Sequence, residues 1–401
     1  MITLNDIKQA KEKLEGVSQK TPFTLATILS KELNSQIYVK KENLQLTGSF
    51  KIRGAYNKLS QLSQIQRDKG VVAASAGNHA QGLAYSAQHF KCDATIFMPE
   101  ATPLTKVSGV KSYGAQVILK GANYDESYAH ATTFAKEYEK EFIHPFADDA
   151  VIAGQGTIAL EILEEYQDLD MIIVPIGGGG LISGIAIAAK AINPNIKIIG
   201  VQASGANAMK TSFEMQIVSN SKSVKTIADG IAVRDATPMM LAYILEYVDE
   251  IVEVEEQEIA NAILFLLERQ KLVVEGAGAV AIAAMMHQKI DVEDKKVATI
   301  ISGGNIDVTM LSLIIEKGLV KSNRKMKLLV TLMDKPGALM QITSILKDSD
   351  ANIVQIDYDR NSVKLDFGEA HVTIALETKG KEHQNTIREN LKHNGYRFKQ
   401  I

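Results

Sequence analysis

The alternation of short apolar runs with longer helical stretches limits most strongly what this chain can fold into. Between residues 36 and 302, runs rich in β-branched residues recur at intervals that helical patterns fill. This β-α-β-α rhythm is typical of an α/β fold with a parallel sheet covered by helices on both faces. The predicted strands are 37–40, 71–74, 94–98, 115–119, 171–175, 197–202 and 297–302, and the predicted helices include 54–62, 79–89, 125–140 and 157–166.

A second pattern begins after the polar run 321–325. Its order of signals, β-α-β-β-α-β, is the ferredoxin-like plan. The signals are strands at 326–333, 353–358 and 369–377, helices at 336–347 and 383–393, and a last strand. We therefore expect one large region over 1–320 and a separate small domain over 325–401.

Charge and cysteine content exclude several classes of protein. The 44 basic and 47 acidic side chains give a net charge of −3 without a basic block, so we expect no nucleic-acid partner. The most apolar stretch, 181–192, contains Lys190 and is too short to span a bilayer. Cys92, the only cysteine, gives neither an internal disulfide nor a zinc cluster. Charges crowd the first helical stretch, which excludes the apolar core of a secretion signal, so we expect a cytoplasmic protein.

Lys51 is the first candidate for chemistry. It lies in the segment 47–55, which follows the strand 37–40 and opens a helical stretch. The positive end of a helix dipole disfavours an ammonium group and promotes the neutral amine, which can form an imine. An isolated lysine is usually only solvated, so the interpretation depends on the neighbouring motifs.

The segment 75–82 follows the predicted strand 71–74, at the edge where open α/β sheets bind ligands. Asn78 offers both a donor and an acceptor to a ligand. Ser75 or Asn78 could also cap the helix that begins near His79, and the two roles are compatible. The candidate substrate contacts in this segment are Ser75, Ala76, Gly77 and His79.

Two more strand ends carry ligand-binding signals. The run of Gly177, Gly178, Gly179, Gly180 and Leu181 follows the strand 171–175 and precedes a helix. Successive backbone N–H groups there can converge on a phosphate, although the glycine spacing is not that of a nucleotide triphosphate loop. Ser302 ends the strand 297–302, where its hydroxyl could meet a ring nitrogen or form part of a plain turn.

These motifs, in this order, resemble the fold-type II pyridoxal-phosphate (PLP) enzymes of the threonine and serine dehydratase branch. The resemblance covers almost all of 1–320 and implies two open twisted α/β domains like those of the tryptophan synthase β subunit, the smaller one over about 52–146. It implies that Lys51 carries PLP as a Schiff base, Phe50 packs on the ring and Asn78 bonds the ring oxygen. It also implies that residues 177–181 bind the phosphate and that Ser302 meets the pyridine nitrogen.

The resemblance implies dehydration and deamination of L-threonine to 2-oxobutanoate and ammonia, with L-serine giving pyruvate, in isoleucine biosynthesis or threonine catabolism. Related serine racemases have a second serine where this chain has Ala76, which disfavours racemisation. They also bind a divalent cation through carboxylates where this chain has Gln202 and Ala208, so we expect no metal site of that kind.

Residues 325–401 resemble an ACT domain, a small regulatory unit that commonly binds amino acids. The residues that carry the resemblance and the candidate effector site are Asp334, Pro336, Gly337, Ala338 and Leu339. We expect isoleucine or valine as the effector and a homodimer or homotetramer, although such a module could serve oligomerisation alone.

Other functions remain open from the sequence. The nearest are serine dehydration and β-replacement of the cysteine-synthase type. The stretch 276–281 fits a dinucleotide-binding pattern after an apolar run at 272–274, but it lacks the acidic residue expected about 20 positions later. An amino-acid sensor built on an inactive core is the non-enzymatic alternative, and such a sensor would not need Lys51.

Overall fold

The computed structural model describes residues 1–361, 363 and 365–401. These residues form two compact units, Met1–Asp307 and Val308–Ile401. The polar run 321–325, where the sequence predicts a boundary, lies within the second unit.

Two sheets make up the first unit. The larger sheet has the order β1-β2-β10-β7-β8-β9, with β1 antiparallel to β2 and the other pairs parallel. The smaller sheet has the order β5-β4-β3-β6 and is parallel. The strands are β1 (Phe23–Leu25), β2 (Gln36–Lys41), β3 (Val71–Ala74), β4 (Ala94–Met98), β5 (Gln116–Leu119), β6 (Glu141–Phe142), β7 (Met171–Pro175), β8 (Lys197–Ala203), β9 (Glu250–Val254) and β10 (Lys296–Ile301).

Helices connect the parallel strands of both sheets, as such connections require. They are α1 (Leu4–Leu14), α2 (Thr27–Glu32), α3 (Lys51–Gln61), α4 (Gln64–Lys69), α5 (Asn78–Phe90), α6 (Leu104–Lys111), α7 (Tyr124–Glu137), α8 (Asp149–Glu165), α9 (Gly180–Ile192), α10 (Ala208–Met215), α11 (Pro238–Tyr247), α12 (Glu256–Phe265) and α13 (Gly276–Met286).

The predicted alternation of strands and helices is confirmed in the first unit. Strands such as β4 and β7 are buried at every position, which explains why they are apolar without alternation. The prediction missed β1, β6 and β9, because two of them are very short and β9 interleaves apolar residues with glutamates.

Two helix starts and one apolar run differ from what the sequence patterns suggest. The helix predicted at 157–166 begins at Asp149, because the Asp148 carboxylate accepts hydrogen bonds from the N–H groups of Ala150 and Val151 at 2.8 and 3.0 Å. The helix predicted at 54–62 begins at Lys51. The apolar run 272–274 forms no strand, which removes the structural context that a dinucleotide-binding turn needs.

Helices α8 and α9 pack closely against each other within a hydrophobic core of the first unit. A methyl group added to Gly184 would lie 2.3 Å from the carbonyl oxygen of Ile152, and one added to Gly156 would lie 2.7 Å from the carbonyl oxygen of Gly184. Glycine at both positions therefore lets the two helix backbones approach. This contact fixes α9, whose first turn follows the glycine run.

The second unit contains an antiparallel sheet in the order β12-β13-β11-β14. Buried positions alternate along β11, so one face of the sheet forms a core with the helices. The elements are α14 (Val308–Lys321), β11 (Lys325–Met333), α15 (Ala338–Asp348), β12 (Asn352–Asp359), β13 (Glu369–Glu377), α16 (Lys381–His393) and β14 (Arg397–Gln400). From β11 onwards this is the order that the sequence predicts. The helix predicted from 336 begins at 338, because Gly337 has a left-handed φ of +85°.

Candidate active site

Lys51 is the first residue of α3 and lies in a partly buried position beside Phe50. Its Nζ donates a hydrogen bond to the carbonyl oxygen of Pro145 at 2.9 Å and lies 5.3 Å from the centre of the Phe50 ring. Burial lowers the pKa of Lys51 from 10.5 to about 8, and the charge of Glu275 opposes this shift. A substantial part of this amine is therefore neutral near physiological pH, as a nucleophile or base requires.

Arg53 fixes the first turn of α3 in the protein interior. Its guanidinium donates to both carboxylate oxygens of Glu42, at 2.8 and 2.9 Å, and pairs with Glu161. Lys40, which is also buried, pairs with Glu161 at 2.5 Å. Two buried cations thus face two buried carboxylates, and the arrangement holds the backbone that carries Lys51.

Asn78 begins α5, but it does not cap the helix. The residue at the cap position is Gly77, and no side chain caps the helix there. The Asn78 amide instead donates from Nδ2 to Glu275 Oε1 at 2.6 Å and accepts at Oδ1 from Asn305 Nδ2 at 2.8 Å. Ser75 Oγ accepts a hydrogen bond at 3.2 Å from the N–H of Gly77, which precedes the first turn of α5, and so does not cap the helix. The capping role considered for Ser75 and Asn78 is therefore wrong.

The remaining candidates of this segment surround the same strand end. His79 is buried, its Nε2–H donates to the carbonyl oxygen of Ile143 at 2.9 Å, and burial lowers its pKa to about 3. His79 is therefore neutral and its Nδ1 is an acceptor. Ala76 packs on the core of the smaller sheet, and a methyl group added to Gly77 would meet open space.

The glycine run joins β7 to α9 and packs against Phe146. A methyl group added to Gly178 would lie 2.4 Å from atoms of the Phe146 ring, and one added to Gly180 would lie 3.0 Å from its Cβ. Gly179 has a left-handed φ of +99°, and no side chain caps the first N–H groups of α9. Leu181 is buried in the core below the loop. The loop thus has no side chains and ends in a free helix N-terminus, as an anion cradle requires.

Ser302 follows β10 and is buried next to Phe50. The N–H of Phe50 donates to the carbonyl oxygen of Ser302 at 3.1 Å, and Ser49 forms a β-bridge with Gly303. A methyl group added to Gly82 of α5 would lie 3.0 Å from the carbonyl carbon of Lys51. Pro145 accepts the hydrogen bond from Lys51 and the next residue, Phe146, packs on the glycine run, so the two link Lys51 to that run. The structure therefore brings the four predicted segments together.

Two groups of residues at the site were not identified from the sequence. The segment 143–147 supplies Pro145 and Phe146, and His144 holds its turn by accepting N–H groups of Phe146 and Ala147 at Nδ1. The short strand β6 before it gave no periodic signal. Glu275 was not singled out from the sequence either, although one acidic residue beside the apolar run 272–274 is a signal of a buried, partnered carboxyl group.

The predicted regulatory residues lie at the turn from β11 into α15. Asp334 accepts a hydrogen bond from the Tyr358 hydroxyl at 2.9 Å and pairs with Arg360 at 3.3 Å. Leu339 is partly exposed, whereas Ala338 is buried in the core of the second unit. Pro336 and Gly337 form the bend between the two elements.

Gln202, one of the residues that replace the metal-binding carboxylates, uses both ends of its side chain within the protein. Its Nε2 donates to the carbonyl oxygen of Ile176 and its Oε1 accepts from the N–H of Lys210 at 2.7 Å. Within residues 1–361, 363 and 365–401, no cluster of three metal-ligating side chains occurs. No described helix combines the length and apolar character needed to cross a bilayer.

Comparisons with known proteins identify the class. Residues 14–303 match the family described as Pyridoxal-phosphate dependent enzyme, and the chain belongs to that family. The predicted fold-type II α/β core and the predicted PLP dependence are thereby confirmed.

The chain is similar to particular members of the family. It is 48% identical to the L-threonine ammonia-lyase of Thermotoga maritima, over 99% of this chain and 98% of the relative. Among solved structures, the processed threonine deaminase isoform 2 of Solanum lycopersicum is 39% identical with a TM-score of 0.75, covering 78% of this chain and 86% of that one. Maize serine racemase is 34% identical, also with a TM-score of 0.75, over 80% of this chain and 99% of that one.

The residues of the site fit PLP. Buried polar side-chain atoms without a partner among the described residues occur at Ser49 beside Lys51, at His79 in α5, and at Ser183 in the first turns of α9. Such atoms require a ligand or water to complete their hydrogen bonding. The features of the site match the groups of this cofactor. The partly neutral lysine suits the aldehyde, the glycine loop without side chains suits the phosphate, and the fixed Asn78 amide suits the ring oxygen.

Proposed function

We propose that this chain is a cytoplasmic enzyme that removes water and then ammonia from L-threonine to give 2-oxobutanoate, with L-serine as a slower substrate that gives pyruvate. The observation that carries the proposal is the meeting of Lys51, Asn78, the glycine run 177–180 and Ser302 at one site. The relatives named threonine ammonia-lyase and threonine deaminase support threonine as the substrate.

Each residue has a role in this proposal. Lys51 holds the aldehyde carbon of PLP, Phe50 packs on the ring, and Asn78 bonds the ring oxygen. Residues 177–181 bind the phosphate and Ser302 meets the ring nitrogen. Bound PLP supplies an electron sink for the α-carbon of an amino acid joined to it.

The protein supplies the proton transfers and the positioning. With its lowered pKa, the Lys51 amine is a base suited to the α-proton of the substrate at neutral pH. A neutral serine at position 302 leaves the ring nitrogen without an acidic partner, which favours elimination over transamination. Ser75, Ala76, Gly77 and His79 line the substrate side of the site, and Ala76 offers no hydroxyl on the face that racemisation would need.

Measuring oxo-acid production by the full chain with PLP tests the function. We expect 2-oxobutanoate from L-threonine at a higher kcat/KM than pyruvate from L-serine. Lys51→Ala should lose at least about a thousandfold in kcat, because it removes the base and the covalent anchor together. Lys111→Ala, at an exposed position, is the matched control. No turnover of threonine by the wild type, or full turnover by Lys51→Ala, would refute the proposal.

We further propose that residues 325–401 are an ACT domain that regulates the catalytic core 1–320, within which 52–146 form the small subdomain. The left-handed Gly337 and the paired Asp334 support a ligand site at the turn between β11 and α15. Isoleucine or valine is the proposed effector, and a homodimer or homotetramer the proposed assembly.

Calorimetric titration of the full chain with L-isoleucine and L-valine tests this regulation, with D-isoleucine as the control ligand. We expect saturable heat, a change in turnover, and weaker binding by Asp334→Ala. The absence of heat with both amino acids, together with unchanged turnover, would exclude the regulatory proposal. Sedimentation equilibrium measures the assembly.

A further inference from the structure

Glu275 is a buried carboxyl residue to which the proposed function assigns no role. It is 3% exposed and lies just before α13, yet its side chain does not cap that helix. Its Oε1 instead accepts the hydrogen bond from Asn78 Nδ2 at 2.6 Å. A carboxyl group is costly to bury, so its position against a cofactor-binding amide calls for a physical reason.

Glycines form the space around this carboxyl group. A methyl group added to Gly303 would lie 2.2 Å from Glu275 Oε1, and one added to Gly230 would lie 3.4 Å from the same atom. Gly303 directly follows Ser302, and Gly230 lies in the turn Asp229–Ile231. The backbone on two sides therefore leaves room for the carboxyl group to reach Asn78.

The Asn78 amide is held at both ends. Asn305 Nδ2 donates to Asn78 Oδ1 and also to the carbonyl oxygen of Thr47 at 2.9 Å, so Asn305 is itself fixed. Glu275 accepts one of the two N–H groups of Asn78 Nδ2. The amide cannot flip without losing both bonds, and Nδ2 has a second N–H to donate to a ligand oxygen.

Charged groups around Glu275 determine its ionisation. Burial is the main cause that raises the pKa of Glu275 to about 8, and the negative charge of Asp229 adds to it. The hydrogen bond from Asn78 and the positive charges of Lys106 and Lys51 oppose this rise. Asp229 and Lys106 pair with each other at 2.7 Å, so their influences on Glu275 partly cancel. The carboxyl group can therefore change charge near neutral pH within the electrostatic reach of Lys51.

We propose that Glu275 is a positioning residue: its carboxyl group fixes the side-chain amide of Asn78, and through that amide the ring oxygen of the cofactor. The charge of the same carboxyl group also acts on the Lys51 amine. This inference rests on the proposed PLP site and adds a residue to it.

The PLP affinity of single and double variants tests the positioning. Glu275→Ala should weaken PLP binding about tenfold, because Asn78 loses the partner that orients it. In the background of Asn78→Ala the same change should cost less than about twofold, since Glu275 then has nothing to orient. Additive losses in the double variant, or wild-type affinity in Glu275→Ala, would overturn the proposal.

The pH dependence of the visible absorbance of the PLP-loaded enzyme provides a readout that a purely structural role would not change. Glu275→Gln keeps an acceptor oxygen for Asn78 but removes the titration. We expect it to bind PLP within about threefold of the wild type and to lose the part of the absorbance pH dependence that the Glu275 carboxyl group gives the wild type. Glu246→Gln, at an exposed position, should titrate like the wild type.

A Glu275→Gln enzyme with an unaltered titration would overturn the proposal. If Glu275→Ala does not fold, the titration of Glu275→Gln alone decides the matter. A wild type that does not attach PLP at Lys51 would refute the proposed site itself, so the two failures are distinguishable.

Discussion

The lowered pKa of Lys51 gives a quantitative prediction about how fast the apoprotein captures PLP. Only the neutral amine attacks an aldehyde, so the rate follows the neutral fraction of the lysine. With a pKa of about 8, about a quarter of Lys51 is neutral at pH 7.5, against about one in a thousand for a lysine with the ordinary value of 10.5. Lys51 should therefore react roughly 200-fold faster than an ordinary lysine at this pH.

Stopped-flow absorbance of apoprotein mixed with limiting PLP, from pH 6 to 10, measures this rate. We expect it to rise with pH and level off near pH 8 to 9, whereas the rate for α-N-acetyl-lysine continues to rise towards pH 10. Lys58 provides an internal control, because it lies on the same helix and its pairing with Asp148 and Glu141 raises its pKa.

The result that would refute this reasoning is a capture rate that rises without a plateau up to pH 10. Such a profile would mean that the Lys51 ammonium is not destabilised by its surroundings. Equal labelling of Lys58 and Lys51 at pH 7.5 would have the same meaning.

Three further perturbations test separate parts of the structure. Gly178→Ala places a methyl group 2.4 Å from the Phe146 ring, so PLP affinity in a fluorescence titration should fall at least about tenfold. The control Gly109→Ala, whose added methyl group has its nearest neighbour at 4.0 Å, should bind PLP normally. Arg53→Met leaves Glu42 buried without its guanidinium partner and Glu161 paired with Lys40 alone, so it should cost about 3–5 kcal/mol in urea unfolding. The exposed Lys69→Met should leave the midpoint unchanged. The Glu275 pKa rises from 4.5 to about 8 on folding, so the apoprotein loses stability as pH rises through that window. Between pH 5 and 8 the Tm of Glu275→Gln should therefore decrease less than the Tm of the wild type.

Each of these expectations has a contrary outcome. Normal PLP binding by Gly178→Ala would separate the glycine run from the cofactor. An Arg53→Met protein as stable as the wild type would show that the buried ion pairs do not anchor α3. Parallel Tm profiles for the wild type and Glu275→Gln would show that this carboxyl group keeps an ordinary pKa in the folded chain.

The sequence indicates candidate ligand-binding segments wherever a parallel strand ends in residues suited to ligands. Ser75, Gly177 and Ser302 follow β3, β7 and β10, and such carboxyl ends lie at the ligand-binding edge of a sheet. Lys51 needed the family resemblance as well, because a lysine near the start of a helix is by itself a weak signal.

Contacts between distant parts of the chain were beyond the sequence patterns. Arg53 meets Glu161, which is 108 positions away, and Asn78 meets Glu275, which is 197 positions away. Such pairs depend on how whole elements pack, and neither periodicity nor turn chemistry encodes them. Pro145 was missed for a similar reason, since its role is a backbone carbonyl that accepts the bond from Lys51.

The most direct test of the central claim is the site of covalent attachment of PLP. The full chain is incubated with PLP, reduced with borohydride and digested, and the modified peptide is identified by mass spectrometry. Lys51 should carry the reduced cofactor in stoichiometric amount. Attachment to another lysine, or no attachment at saturating PLP, would contradict the account of this site.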